Sequence, residues 1–172
     1  MIYIIGIGSN MPSKYGGPIE SLKYAIKKLN QNNINVIKKS FLYSSPPKDF
    51  SSAANIFFNG AIMVDTALKP EPLLFVLKNI EKSLGRNVYK RNSSRSCDLD
   101  ILLMKPERTQ QLKKNNKKCI LPHPRMHQRE FVLKPMMDIC SNWVHPELNK
   151  RIYDIYKTSY SGEKLYKITQ KL

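Results

Sequence analysis

The sequence predicts an α+β fold of the ferredoxin-like kind, a βαββαβ unit whose antiparallel sheet carries two helices on one face. Three observations carry that prediction: short runs rich in β-branched and aromatic residues, stretches with apolar residues at helical spacing, and the order in which the two alternate. Residues 2–7 (Ile-Tyr-Ile-Ile-Gly-Ile) read as a first, central strand, closed by Gly8-Ser9-Asn10. Gly16, Gly17 and Pro18 open a helix in which Ile19, Leu22, Ile26 and Leu29 share a face, and the Asn-rich residues 30–33 stop it. Residues 34–44 carry Ile34, Val36, Ile37, Phe41 and Tyr43 and read as a second strand. Ser44-Ser45-Pro46-Pro47 ends it, because proline cannot donate to a ladder. After a polar loop at 48–56, residues 57–66 alternate as a third strand, with Phe58, Ile62 and Val64 on one face and Phe57, Asn59 and Ala61 on the other. Lys69-Pro70-Glu71-Pro72 starts a second helix with proline and an acid in the first turn, where both are favourable. Leu73, Val76, Leu77, Ile80 and Leu84 form its apolar stripe, and Gly85 supplies its stop. Asp98–Leu103 is the fourth strand. Residues 105–118 hold six Lys/Arg and one acid and read as a loop excursion. Residues 129–139 read as a helix broken near Pro135, and 147–172 as a basic C-terminal extension. The second face of the sheet is open or covered by residues beyond 104.

At 172 residues the chain is most simply one domain, 1–172, large enough to bury a core without disulfides or metal staples. Lys and Arg number 29 against 13 acids, a net charge of +16. Such a field implies anionic partners, whether nucleic acid, an anionic membrane or a polyphosphate, although a lysine-rich composition accounts for part of it. The 3 cysteines (Cys97, Cys119, Cys140) have no CxxC spacing, so neither a disulfide framework nor a zinc site is indicated. They read as small buried hydrophobes in a reducing compartment. The N-terminal apolar run is too short for a signal peptide, and no run approaches the roughly 18 apolar residues of a membrane span. A soluble, cytoplasmic protein is expected.

The chemistry centres on Arg95-Ser96-Cys97-Asp98-Leu99-Asp100-Ile101-Leu102-Leu103. On a strand Asp98 and Asp100 project from one side, and Leu99, Ile101 and Leu103 from the other. Two carboxylates held close attract a divalent cation, which relieves their mutual repulsion. Two hard oxygen ligands leave the rest of an Mg²⁺ octahedron to water and substrate phosphates. Arg95 adds a fixed positive fork for phosphate. Taken singly, these features have bland readings. An Asp-x-Asp is most often two solvated acids, a lone histidine a loop-packing residue, and a helical glutamate solvated.

Four separated motifs change the balance: Ile7-Gly8-Ser9-Asn10; Ser45-Pro46-Pro47 with Phe57-Phe58-Asn59-Gly60-Ala61 after it; Arg95 through Ile101; and Leu121-Pro122-His123-Pro124-Arg125-Met126-His127-Gln128-Arg129-Glu130-Phe131-Val132-Leu133. In this order and spacing, over roughly residues 1–146, the chain closely resembles the 6-hydroxymethyl-7,8-dihydropterin pyrophosphokinases of folate biosynthesis. The resemblance implies transfer of the β,γ-pyrophosphoryl group of ATP to the pterin's hydroxymethyl oxygen, with release of AMP. It implies ATP as co-substrate, two Mg²⁺ ions, small-molecule partners rather than nucleic acid or membrane, and a monomer. Asp98 and Asp100 match the metal-binding pair, and with Arg86 and Arg95 make up the catalytic set. Glu81, Arg86, Arg95, Lys118, His123 and Arg129 match nucleotide-contacting positions beside the two aspartates. Ser45, Pro46, Pro47, Phe57, Asn59 and Phe131 match the pterin site. No dedicated base stands out, and Asp100 is one candidate proton acceptor. The chain also departs from the pattern. Asn92-Ser93-Ser94 stands where the family often has Trp-Gly-Pro, and Ala54-Asn55 where it usually has Gln-Pro. The spacing from Arg86 to Arg95 leaves Lys90 and Arg91 competing for a second loop arginine.

Two rivals come from other classes. An RNA-binding ferredoxin-like module suits the +16 charge, but the glycine-aromatic signature of such sheets is absent and two acids would repel a phosphate chain. A non-catalytic regulator suits the missing tryptophan, but then both aspartates are retained by accident.

Overall fold

A computed structural model of the protein describes residues 1–46, 55–86, 94–105, 119–159, 162 and 164–171. Most of the predicted loop at 48–56, the basic loop at 87–93 and the excursion at 106–118 lie outside the described residues. The chain runs β1 (Ile2–Ser9), α1 (Pro18–Gln31), β2 (Asn35–Lys39), β3 (Phe41–Ser45), β4 (Phe57–Asp65), α2 (Pro70–Ser83), β5 (Asp98–Met104), α3 (Glu130–Cys140), β6 (Val144–His145), β7 (Lys150–Arg151), α4 (Ile152–Thr158) and β8 (Tyr166–Lys171). The main sheet is antiparallel in the order β5-β1-β4-β3-β8, with β2 also on β4, and β1 is central as its apolar composition requires. The βαββαβ core is therefore as predicted.

Each helix begins and ends for a local reason. Pro18 and Pro70 sit at the first helical positions, where their missing N–H is no loss. After α2, Gly85 takes φ +88°, and the Arg86 N–H returns to the Glu81 carbonyl at 3.2 Å. That turn aims Arg86 back along its own helix.

Helices α1 and α2 bury Leu22, Leu29, Leu73 and Leu77 against Tyr3, Ile5, Ile7 and Leu99 of the sheet. The opposite face is covered: α3 and α4 set Leu133, Met136, Ile152 and Ile155 against Ile4, Ala61, Met63 and Leu102. Asp138 of α3 accepts hydrogen bonds from the Tyr43 hydroxyl at 3.0 Å and the Phe41 N–H at 3.0 Å, which ties this second layer to β3. Among the described residues no helix is long and apolar enough to cross a membrane.

Three details differ from expectation, and a fourth adds to it. The strand predicted over 34–44 is two, divided at Ser40, whose hydroxyl accepts the Ala61 N–H at 2.9 Å in place of a backbone carbonyl. Leu103 does not share a face with Leu99 and Ile101. A bulge opposite Ile4/Ile5 inserts one residue, so Leu102 and Leu103 both join the α3 side. The helix at 130–140 continues through Pro135. One ladder bond is lost there, and the burial of Leu133, Met136 and Ile139 on both sides of the proline holds the helix together. The basic extension is structured, since α4 packs on α3 and β8 extends the sheet beside β3.

His145 is fully buried; its Nδ1 accepts the Glu147 and Leu148 N–H groups, both at 3.3 Å, so Nε2 carries the hydrogen. Burial first, then His127, hold the imidazole below its ordinary value against the pull of Glu147. The unfolded chain therefore takes up this proton first as pH falls below about 6.5, so the contribution is complete above that pH and is lost below it. Urea midpoints at pH 7.5 and 5.5 should show a smaller loss of stability in His145→Gln than in the parent protein.

Candidate active site

The acids stand where the sequence reading put them. Asp98 and Asp100 project from β5 to one side, each opposite a glycine of β1, and the next strand continues each row. Asp98 pairs with Gly8 and Gly8 with Asn59, while Asp100 pairs with Gly6 and Gly6 with Ala61. The missing side chain of Gly8 leaves a shallow trough between Asp98 and Asn59, whereas Leu102 packs over Gly6, 3.1 Å from where a Cβ would stand. A Cβ on Gly8 would lie 3.2 Å from Asn59 Oδ1, tighter than ordinary contact. Farther along the same face the side chains turn apolar under α3, and Asn59 at the polar end is itself buried.

The acids are held by cations of this chain. Arg86 Nη1 donates to Asp98 Oδ1 at 2.6 Å and pairs with Glu81, while Arg95 Nη1 donates to Asp98 Oδ2 at 2.6 Å. Lys78 Nζ lies 2.7 Å from Glu81 Oε1, 3.0 Å from the Leu99 carbonyl and 3.3 Å from Asp100 Oδ1. Glu81, buried in α2, accepts the Leu99 N–H at 2.6 Å. It thereby satisfies the edge of β5 between the two aspartates and steadies both cations above it. Three acids and three basic side chains close a neutral network.

The electrostatics arise from this packing. Burial opposes the charged form of Asp100, but Lys78, His123 and Arg86 together outweigh it and hold the carboxyl below the usual range. Burial pushes the Glu81 carboxyl up against the pull of Lys78 and Arg86. His123 is pushed down by burial, then by Arg129 and Arg125, against Asp100. Its Nδ1 accepts the Arg125 N–H at 3.2 Å, so the neutral ring presents an Nε2–H donor. The His123 N–H bonds the Leu102 carbonyl at 2.8 Å, which fixes the ring's segment beside β5.

The Gly-Ser-Asn end of β1 has a positioning role. Asn10 Oδ1 accepts the Arg95 N–H at 2.7 Å, and the Asn10 and Met11 N–H groups return to the Arg95 carbonyl. Ser9 Oγ donates to the Ser96 carbonyl at 2.8 Å. The segment bearing Arg95 is thus pinned to the strand beside Asp98.

On the other side of the trough, Asn59 Nδ2 donates to Ser45 Oγ at 3.0 Å, and register puts Phe57 on the same face. Pro46 is exposed at the end of β3. At the start of α3 the Arg129 guanidinium lies 5.7 Å from the Phe131 ring. Pro47, Lys90, Arg91, Asn92, Ser93 and Lys118 lie outside the described residues. Sequence reasoning missed Lys78 and gave no role to Asn10. Nothing in the local pattern separates Lys78 from a solvated helical lysine, whereas Asn10 closes the Ile7-Gly8-Ser9-Asn10 motif.

Asp98 and Asp100 suit a hard cation. Among the described residues no group of three or more histidine, cysteine or carboxylate side chains is placed to hold a metal ion. Mg²⁺ takes one or two carboxylates and fills its octahedron with water and phosphate oxygens, which this all-oxygen, half-open pair allows.

Comparisons with known proteins agree. The chain is 36% identical over 140 residues to the 2-amino-4-hydroxy-6-hydroxymethyldihydropteridine pyrophosphokinase of Bacillus subtilis, covering 81% of this chain and 78% of that one. It is 33% identical over 165 residues to the Haemophilus influenzae enzyme of the same name, covering 95% and 96%. It is 40% identical over 142 residues to the folic acid synthesis protein fol1 of Pneumocystis carinii, covering 83% of this chain but 18% of that protein, about a fifth of its length. Among solved structures, Plasmodium falciparum HPPK-DHPS superposes with a TM-score of 0.68 at 16% identity, covering 91% of this chain and 44% of that one, a likeness of fold. Residues 4–141 match a single family along most of their length, and the chain belongs to the 7,8-dihydro-6-hydroxymethylpterin-pyrophosphokinase (HPPK) family.

Proposed function

We propose that this chain transfers the β,γ-pyrophosphoryl group of ATP to the hydroxymethyl oxygen of 6-hydroxymethyl-7,8-dihydropterin, with AMP as the other product. The observation that supports this is the row Asp98–Gly8–Asn59, which puts on one face of the sheet, one glycine apart, a carboxylate suited to a cation and an amide suited to a pterin ring. The pterin oxygen attacks the β-phosphorus, the bond from that phosphorus to the α,β-bridging oxygen breaks, and AMP leaves with the electron pair. Such transfer needs positioning and charge neutralisation more than covalent work by the protein. Asp98 and Asp100 would hold Mg²⁺, two ions by the resemblance, which supplies charge neutralisation at the phosphates. Arg86 and Arg95, already beside Asp98, clamp phosphate oxygens, and the His123 Nε2–H and Arg129 add donors. By the family correspondence Lys118 joins them. Glu81 acts through Leu99, Arg86 and Lys78, from beneath the nucleotide. The hydroxyl proton passes to Asp100 or to solvent.

Asn59 can donate and accept in the plane of an aminopyrimidinone, Phe131 and Phe57 offer flat faces, and Ser45, Pro46 and Pro47 offer backbone groups. ATP, Mg²⁺ and the pterin alcohol are the partners, and the chain works as a cytoplasmic monomer occupying 1–172. The covering of the second sheet face by α3 and α4 supports this over an RNA module, which needs that face. The test is adenine-nucleotide chromatography: AMP, rather than ADP, forms only when the pterin alcohol is present. Two variants probe the pterin side. Asn59→Ala raises the pterin KM about 10–100-fold with the ATP KM unchanged, because a ring built to be hydrogen-bonded loses its partner. Gly8→Ala, which crowds Asn59 Oδ1, raises the same constant several-fold.

A further inference from the structure

We propose that Lys78 is a fixed counter-charge for the aspartate pair, a positioning residue whose ammonium weakens the pair's uptake of a bare divalent ion. This rests on the assignment of Asp98 and Asp100 as the cation ligands. Every acid of the site has a counter-charge from this chain. Both oxygens of Asp98 are engaged by guanidinium nitrogens at 2.6 Å, and Asp100 Oδ1 has the Lys78 ammonium at 3.3 Å. A divalent ion entering alone must displace bonded cations and meets the repulsion of the rest. A triphosphate changes that balance, because it gives the displaced arginines new oxygens to hold and brings its own negative charge to the ion.

Lys78 differs from the two arginines in how it is held. Its ammonium is anchored to the Leu99 carbonyl at 3.0 Å and to Glu81 Oε1 at 2.7 Å, both structural groups at the edge of β5. It therefore remains beside Asp100 when Arg86 and Arg95 turn toward phosphate. It also holds the short stretch of β5 between the two aspartates, so the spacing of the ligands depends on it.

The test is Mn²⁺ binding, monitored by the loss of the free-ion electron paramagnetic resonance signal, with and without a non-hydrolysable α,β-methylene ATP. The parent protein binds Mn²⁺ weakly alone and tightly with the analogue. Lys78→Met keeps the aliphatic stem and removes the charge, and it tightens Mn²⁺ binding in the absence of nucleotide by about tenfold or more. Lys78→Arg restores weak binding, which a merely structural role would not produce. Binding in Lys78→Met equal to or weaker than in the parent overturns the proposal. If Lys78→Met is unchanged while Asp98→Asn still abolishes Mn²⁺ binding with the analogue, the role of Lys78 alone fails. If Asp98→Asn leaves that binding intact, the cation assignment itself fails, and the proposal with it.

Discussion

The Asp98→Asn/Asp100→Asn double variant folds, binds the pterin, and forms AMP about 10³-fold more slowly than the parent protein, or not at all. Removing both carboxylates takes away the only acids of the described site that face the trough, and with them the charge that would hold a cation against the phosphates. Several kcal/mol of transition-state stabilisation are lost with such an ion, each 1.36 kcal/mol being about tenfold in rate. Stability falls less than activity. Asparagine at 98 leaves Arg86 and Arg95 one acceptor oxygen between them, a cost of about 1–2 kcal/mol for imperfectly paired charge. Thermal unfolding with and without pterin separates the two effects. A double variant with near-parental turnover removes the aspartates from the chemistry.

Glu81→Ala gives the largest expected loss of stability, about 3 kcal/mol, or roughly 6–12 °C in Tm. Its carboxylate is buried and serves three groups at once: the Leu99 N–H, Arg86 and Lys78. Truncation leaves an unpaired edge amide between the two aspartates and two cations without their shared anchor. Because Arg86 and Lys78 in turn orient Asp98 and Asp100, kcat falls together with stability. Glu81→Gln keeps an acceptor for Leu99 and recovers much of the Tm. An alanine variant with parental Tm and a raised ATP KM would instead mean that Glu81 touches nucleotide directly, as the family correspondence implies.

The succession of elements and the faces of β4 and β5 were legible because period-2 alternation in β4 and the Asp-x-Asp of β5 leave one arrangement that buries the apolar rows. Asp98 and Asp100 were therefore correctly set on one side of β5, and Asn59 on the same face as Phe57 and Ala61 of β4. What escaped were features fixed by single groups or by distant contacts. The Ser40 break depends on one hydroxyl taking over a ladder bond, and the bulge at Leu102 depends on the register against β1. Pro135 suggested an interrupted helix because its local cost is visible in sequence, whereas the compensating packing against Ile4 and Met63 comes from the other end of the chain. The α3 helix was legible, but whether the second face is open or covered was left undecided for the same reason, and α4 was not read. Lys78 was invisible because its partners, Leu99 and Asp100, lie 21 and 22 residues downstream.

Two phosphoryl groups move as a unit to a pterin alcohol in the chemistry proposed for this trough. The most direct measurement is a single turnover with ATP labelled in turn at the β- and the γ-phosphorus, with separation of the pterin product. Equal transfer of both labels to the pterin, with unlabelled AMP in matching yield, is the expected result. Transfer of the γ label alone, or release of either label as inorganic phosphate with the pterin unmodified, would contradict it.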